Sequence, residues 1–185
     1  MMMTNFQAWL LDAMKVFRCA RRDQLEWLCR LKFSSTPNQV ESDLRQLQFL
    51  GRLCREGQLV LLSGQKQDQQ MLSAIEIMRL LSGDALPEFG CSSPPAKLAF
   101  YLEDQRGYLD FKIIPVAPGQ ERKVLLQLEP QLSRFVCTCI FAIRQEAQIA
   151  LLASVPRAYF ALSDGNGEYR FLRADDCGGG VAGRR

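Results

Sequence analysis

The sequence predicts an α+β protein built in two parts: a helical segment closed by a small hairpin, then a small α/β domain of about five strands and two helices. Three observations carry this reading. Residues 36–50 form a capped amphipathic helix that runs at Gly51 into two short apolar runs. Two shorter helical stripes precede it. From Lys97 the apolar period shifts from that of a helix to that of a strand.

The elements follow in order. Residues 4–17 place Phe6, Leu10, Ala13, Met14 and Phe17 on one helical face, widened by Trp9 and Leu11. Residues 21–31 form a second helix with Leu25, Leu28 and Cys29 inward and Leu31 at its end. Lys32 to Ser35 make the turn. The third helix starts with strong signals. Thr36 can cap, Pro37 suits the first helical position, and Gln39 stands three residues after Thr36 as a capping box requires. Val40, Leu44, Leu47 and Leu50 share its inner face, and Gly51 ends it. Arg52–Cys54 and Gln58–Leu62 then flank Glu56-Gly57, a tight turn that exploits the positive φ open to glycine. Three helices followed by a hairpin in about 65 residues is the order of a winged helix-turn-helix, assigned to residues 1–66.

Residues 67–83 make a fourth helix, with Met71, Ile75, Met78 and Leu81 on a wide apolar stripe and Gly83 as its C-cap. Residues 84–96 hold three prolines and read as a linker, so 67–96 is a connecting helix plus a Pro-rich segment. The α/β domain spans 97–174. KLAFYLED and YLDFKIIPV flank a turn, GQERKVLLQLEP is a short helix, and RFVCTCIFAI is a central strand. RQEAQIALLAS is a second short helix, and PRAYFALSD and EYRFLR flank Gly165-Asn166-Gly167. Residues 175–185 lack any apolar pattern and are expected to be a disordered tail.

Composition narrows the chemistry. Of 185 residues 48% are apolar and 23% charged, the balance of a globular chain. No run of 18 apolar residues occurs, so no membrane span is expected. The opening MMMTNFQAWLLDAMKVF lacks a basic segment before its apolar residues and reads as an amphipathic helix; the three Met offer alternative starts. There is no histidine, which removes His bases, Ser-His-Asp and Cys-His catalysis, and imidazole-dependent zinc sites. Seven cysteines without a CxxC pair read as reduced thiols of a cytoplasmic protein. Cys137 and Cys139 would point to one face of a strand, as core. No P-loop signature occurs, so no cofactor and no metal are expected.

Residues 1–66 hold 10 Lys/Arg against 6 Asp/Glu, whereas 67–185 hold 13 against 14. The positive excess therefore lies with the helix and hairpin, which favours a polyanionic partner there. The outer face of the third helix offers Asn38, Gln39, Ser42, Arg45 and Gln46, side chains able to hydrogen-bond base edges and phosphates. Arg52 and Arg55 flank the hairpin, Lys66 follows it, Lys32 lies in the turn, and Arg21 and Arg22 open the second helix. Together these are the candidate contacts to double-stranded DNA, with about five phosphates engaged. Glu41 and Asp43 lie near the same face and would repel phosphates. The tip Arg55-Glu56-Gly57 is short, so one copy would bind modestly and gain from a homodimer formed through the 67–83 helix or the C-terminal domain. Two alternatives stand beside this. The helix and hairpin could dock another protein. Asp110-Phe111-Lys112, with Glu103 and Asp104 on the partner strand, also carries the acid-x-Lys pattern by which some nucleases hold Mg²⁺.

QVESDLRQLQFLGRLCREGQLVLL resembles the winged-helix segment of the replication-relaxation family and its uncharacterised bacterial relatives, encoded on plasmids and conjugative elements. The resemblance is clearest over residues 20–63. Beyond, FVCTCIFAI and PRAYFALSDGNGEYRFLR are similar in order and hydrophobic pattern. It implies an N-terminal winged helix, a C-terminal α/β domain likened to a nuclease fold without its catalytic residues, and a non-enzymatic accessory or regulatory role on DNA. Glu41, Asp43 and the short wing depart from that pattern.

Overall fold

The computed structural model describes residues 3–105, 107–132 and 137–173. The chain divides into two compact units, Met1–Pro87 and Glu88–Arg185, of mixed α+β class. The tail at 175–185 lies outside the described residues.

The first unit runs α1 (Asn5–Phe17), β1 (Cys19–Arg21), α2 (Arg22–Phe33), α3 (Pro37–Phe49), β2 (Leu53–Glu56), β3 (Leu59–Leu62), α4 (Gln69–Ser82). Thr4 and Gln7 build a full reciprocal capping box on α1. At α3 the Thr36 hydroxyl accepts from the Gln39 backbone N–H, with Pro37 at the first turn. Val40, Leu44 and Leu47 are fully buried with Leu25, Leu28, Leu10, Met14 and Phe17. Burial at about 1.5–3 kcal/mol per large apolar side chain is what holds helices this short together. Leu50 departs from the expected inner stripe and is 37% exposed, as the C-cap residue just beyond the last helical position, Phe49.

The hairpin forms with Gly57 at φ +61° between Glu56 and Leu59, which pair. The spacing shows nothing of β1. It pairs antiparallel with β3, Cys19 opposite Leu61 and Arg21 opposite Leu59, giving a three-stranded sheet in the order β1-β3-β2. Three residues are too few to display an alternation, and the burial of Cys19 and Ala20 merges with the stripes of the flanking helices. Helix α4 belongs to the first unit: it packs on β1 and α2, and Trp27 Nε1 donates to the Gly83 carbonyl at its end (3.2 Å). Of the expected stripe, Met71, Ile75 and Met78 are buried within the chain and Leu81 is half-buried.

The second unit runs β4 (Glu88–Gly90), β5 (Leu98–Asp104), β6 (Gly107–Pro115), α5 (Glu121–Leu132), β7 (Thr138–Ile143), α6 (Ala147–Leu152), β8 (Ala158–Ser163), β9 (Tyr169–Arg173). Its six strands lie in sequence order, β4 to β9. The pairs β4/β5, β5/β6 and β8/β9 are antiparallel; β6/β7 and β7/β8 are parallel and joined through α5 and α6. β4 falls in the stretch read as linker, again a strand of three residues. Val124 and Leu128 of α5 and Ile149 and Leu152 of α6 share a core with Ile114, Cys139, Phe141 and Phe160 of the sheet. Both helices therefore cover one sheet face. The buried Gln148 amide donates to the Val116 carbonyl (3.1 Å) and to Glu121 Oε1 (2.7 Å), and its oxygen accepts from the Arg144 and Gln145 N–H groups. Among the described residues no helix is long and apolar enough to cross a membrane.

Candidate functional site

The outward stripe of α3 is the strongest candidate surface. Asn38, Gln39, Ser42 and Arg45 are exposed on it, opposite the buried Val40, Leu44 and Leu47. Lys32, Arg52 and Lys66 are exposed on α2, on the turn after α3 and beyond β3. The turn after α3 keeps Arg52 close: its backbone N–H donates to the Leu47 carbonyl (3.0 Å).

The acids of this helix are not free to repel phosphate. Glu41 is the hub of an ion network. Arg55 approaches it in bidentate fashion (2.9 and 3.1 Å), Arg45 Nε at 2.7 Å and Arg22 Nη1 at 3.2 Å. Its side chain is only 15% exposed. The Arg55 guanidinium, ahead of Arg45, holds the Glu41 carboxyl down at about 2. Asp43 accepts from Gln7 Nε2 of α1 (2.7 Å), and the same amide donates to Gln46 Oε1.

This network redistributes the candidate contacts. Arg22 pairs with Glu26 and Glu41, and Arg55 with Glu41, so both bind α2, α3 and the hairpin together. Arg21 is shared between Asp23 and Glu76 of α4. Gln46 is half-buried against α1. The structure thus places Arg21, Arg22, Arg55 and Gln46 in internal contacts. It leaves Lys32, Asn38, Gln39, Ser42, Arg45, Arg52 and Lys66 on the surface; Arg45, although paired, is 73% exposed. Sequence spacing also passed over Phe49, which is 88% exposed. The signal was available: 38, 42, 45 and 49 fall at steps of four, three and four, one outward helical stripe.

In the second unit Asp110 lies opposite Tyr101, and Lys112 lies between Ala99 and Cys139. Glu103 stands opposite Tyr108 and Asp104 opposite Gly107 at the hairpin tip, so neither acid faces Asp110 across the pair. Asp110 Oδ1 is buried without a hydrogen-bond partner. Burial pushes the Asp110 carboxyl above its ordinary value, with Lys112 partly offsetting it. Cys137 and Cys139 are buried, as their spacing predicts, and desolvation pushes both thiols up, Cys139 to about 12. Among the described residues no group of three His, Cys, Asp or Glu is placed to hold a metal ion.

A raised carboxyl pKa means that folding disfavours the Asp110 charge. The cost is present above the folded pKa and disappears as the pH falls below the unfolded one. Asp110→Asn is therefore expected to raise the melting temperature at pH 7, with the gain shrinking toward pH 4; a lower melting temperature would show that the carboxylate has a partner in solution.

A cavity of about 460 Å³ opens at the ends of β7 and β8, lined by Arg144, Glu146, Asp164, Glu168, Tyr169 and Arg170 among others. Within it Arg170 pairs with Glu146 (3.1 Å), and Asp164 accepts from the Asn166 and Glu168 backbone N–H groups.

No family model matches the chain. No curated protein matches it. Among solved structures it is similar to the restriction endonuclease FokI, with a TM-score of 0.33 and 12% identity over 96% of this chain and 45% of that one. The chain thus spans under half the length of that protein, and a likeness this distant carries neither fold nor function.

Proposed function

We propose that residues 1–66 are a winged helix-turn-helix and that the protein binds double-stranded DNA through α3. Its role is that of a non-catalytic accessory or regulatory protein of a plasmid or conjugative element, akin to the replication-relaxation family and working in the cytoplasm. The observation that carries the reading is the outward stripe of α3. Asn38, Gln39 and Ser42 are free for base edges there, with Arg45 beside them, while Glu41 is ion-paired to Arg55 and Asp43 is hydrogen-bonded to Gln7. The order α1-β1-α2-α3-β2-β3, with β1 paired to β3, supports it, the β2–β3 hairpin serving as the wing.

Four of the candidate cations are exposed: Lys32, Arg45, Arg52 and Lys66. If each meets one phosphate, log K falls against log salt with a slope near about −3.6, shallower than the five contacts expected from sequence would give. Fluorescence anisotropy with a random duplex at several salt concentrations measures it. An Arg45→Ala/Arg52→Ala variant should reduce the slope by about 2 and weaken all sequences alike. A salt-independent signal, or a double variant that binds as wild type, would sink the reading in favour of protein docking.

A further inference from the structure

We propose that Phe49 is a stacking platform for an unpaired base, so that the α3 face prefers DNA with a local single-stranded segment over continuous duplex. The inference rests on the DNA-binding reading above. Phe49 is the last residue of α3 and is 88% exposed, whereas Phe6 and Phe17 of the same unit are 8% and 0% exposed. The fold makes no use of this ring. Two exposed arginines lie near it along the chain. Arg45 is one turn back on the same stripe and 73% exposed. Arg52 would trail away with the chain, but Gly51 at φ +66° and the Arg52 N–H bond to the Leu47 carbonyl hold it beside the last turn. Leu50, 37% exposed, extends the apolar surface.

An exposed aromatic ring with Arg45 one turn back and Arg52 three residues on matches a polyanion that also offers a flat π face. A purely apolar protein groove would meet the ring and leave the charge of Arg52 to be desolvated beside the Arg45–Glu41 pair. Nucleic acid meets both needs, with a base on the ring and the phosphates on either side of it on Arg45 and Arg52. In a continuous duplex each base is already stacked on its neighbours. The face is available only where a base is unpaired, as in a gap, a melted segment or a strand junction. The acids that would oppose such a strand, Glu41 and Asp43, are held by Arg55 and Gln7.

The test uses the full chain and three labelled probes: an intact duplex, the same duplex with a short gap, and that gapped duplex with 2-aminopurine in its single-stranded part. Wild type should bind the gapped probe more tightly than the intact one and change the 2-aminopurine emission. Phe49→Ala should weaken gapped binding by about 5- to 100-fold, leave intact-duplex binding within about two-fold and abolish the emission change, and Phe49→Trp should restore both. The exposed position keeps folding out of the comparison, which far-UV circular dichroism checks. Equal gapped-probe binding by wild type and Phe49→Ala overturns the stacking role while leaving duplex binding by α3 intact. Failure of wild type to bind any probe overturns both. Loss of self-association in Phe49→Ala with DNA binding unchanged would assign the ring to a second copy of the chain and overturn the proposal.

Discussion

Glu76→Ala is expected to destabilise the first unit by about 3 kcal/mol, a large share of the 5–15 kcal/mol typical of a whole domain. Glu76 lies on α4 with its side chain 7% exposed. Arg21 from the start of α2 reaches its Oε2 at 2.5 Å, Gln24 donates to the same oxygen at 3.2 Å, and Arg79 pairs with Oε1. One carboxylate thus ties α4 to the β1–α2 junction. Its removal strands the buried Gln24 amide, though that amide keeps its bond to the Leu72 carbonyl. Arg21 and Arg79 are about a third exposed and can turn toward water, which holds the cost at the lower end for broken buried pairs. Both tryptophans, Trp9 and Trp27, lie in this unit, so intrinsic fluorescence in urea reports on it alone. A loss below about 1 kcal/mol would mean that the pair is no better than a surface bridge.

Glu41→Ala is expected to cost about 2 kcal/mol, and its signature is pH. The Glu41 carboxyl is lowered from its ordinary 4.5 to about 2, first by Arg55 and then by Arg45 and Arg22. A depressed acid contributes stability that is fully present above its unfolded pKa and lost as the pH falls through the folded one. Wild type should therefore lose this contribution progressively between pH 4.5 and 2, while Glu41→Ala, already without it, follows a flatter course there. On the proposed DNA-binding reading, the same substitution releases Arg45 and Arg55, while Arg22 keeps its pair with Glu26. Non-specific duplex affinity should rise even as the unit weakens, with a steeper salt dependence. Acid unfolding curves that superimpose would show that the network contributes nothing measurable.

These two clusters also mark where sequence reading stops. The spacing of Val40, Leu44 and Leu47 reports the inner side of α3 reliably, because burial is a collective demand that one helix displays along its own length. The strands from Leu98 to Arg173 are legible for the same reason. A charged residue near the boundary of a face is different. Glu41 reads as a liability on a DNA-facing helix until Arg22 and Arg55, on two other elements, are seen around it. Spacing gives an angle on the helix but not the partner that meets it. Arg21, Arg22 and Arg55 read as phosphate contacts for the same reason, since a helix start and a hairpin flank are exposed by default. β1 and β4 escape because three residues carry no period. Phe49 escapes because the inner stripe passes through Leu47 and Leu50, and an apolar ring is not among the hydrogen-bonding side chains that mark the outer face.

The strand order of the second unit bears on how the protein is made. From β4 to β9 every strand lies beside the one synthesised just before it. Each new strand emerging from the ribosome finds its neighbour's open edge waiting, and each closure spans only a hairpin or one short helix. Closures so local keep the entropic barrier low and the half-built edge briefly exposed. The first unit has no such order: β1 stays unpaired until β3 arrives, after α2, α3 and β2 have all been laid down. Vectorial assembly therefore suits the second unit, whereas the first must wait for its hairpin before its sheet exists.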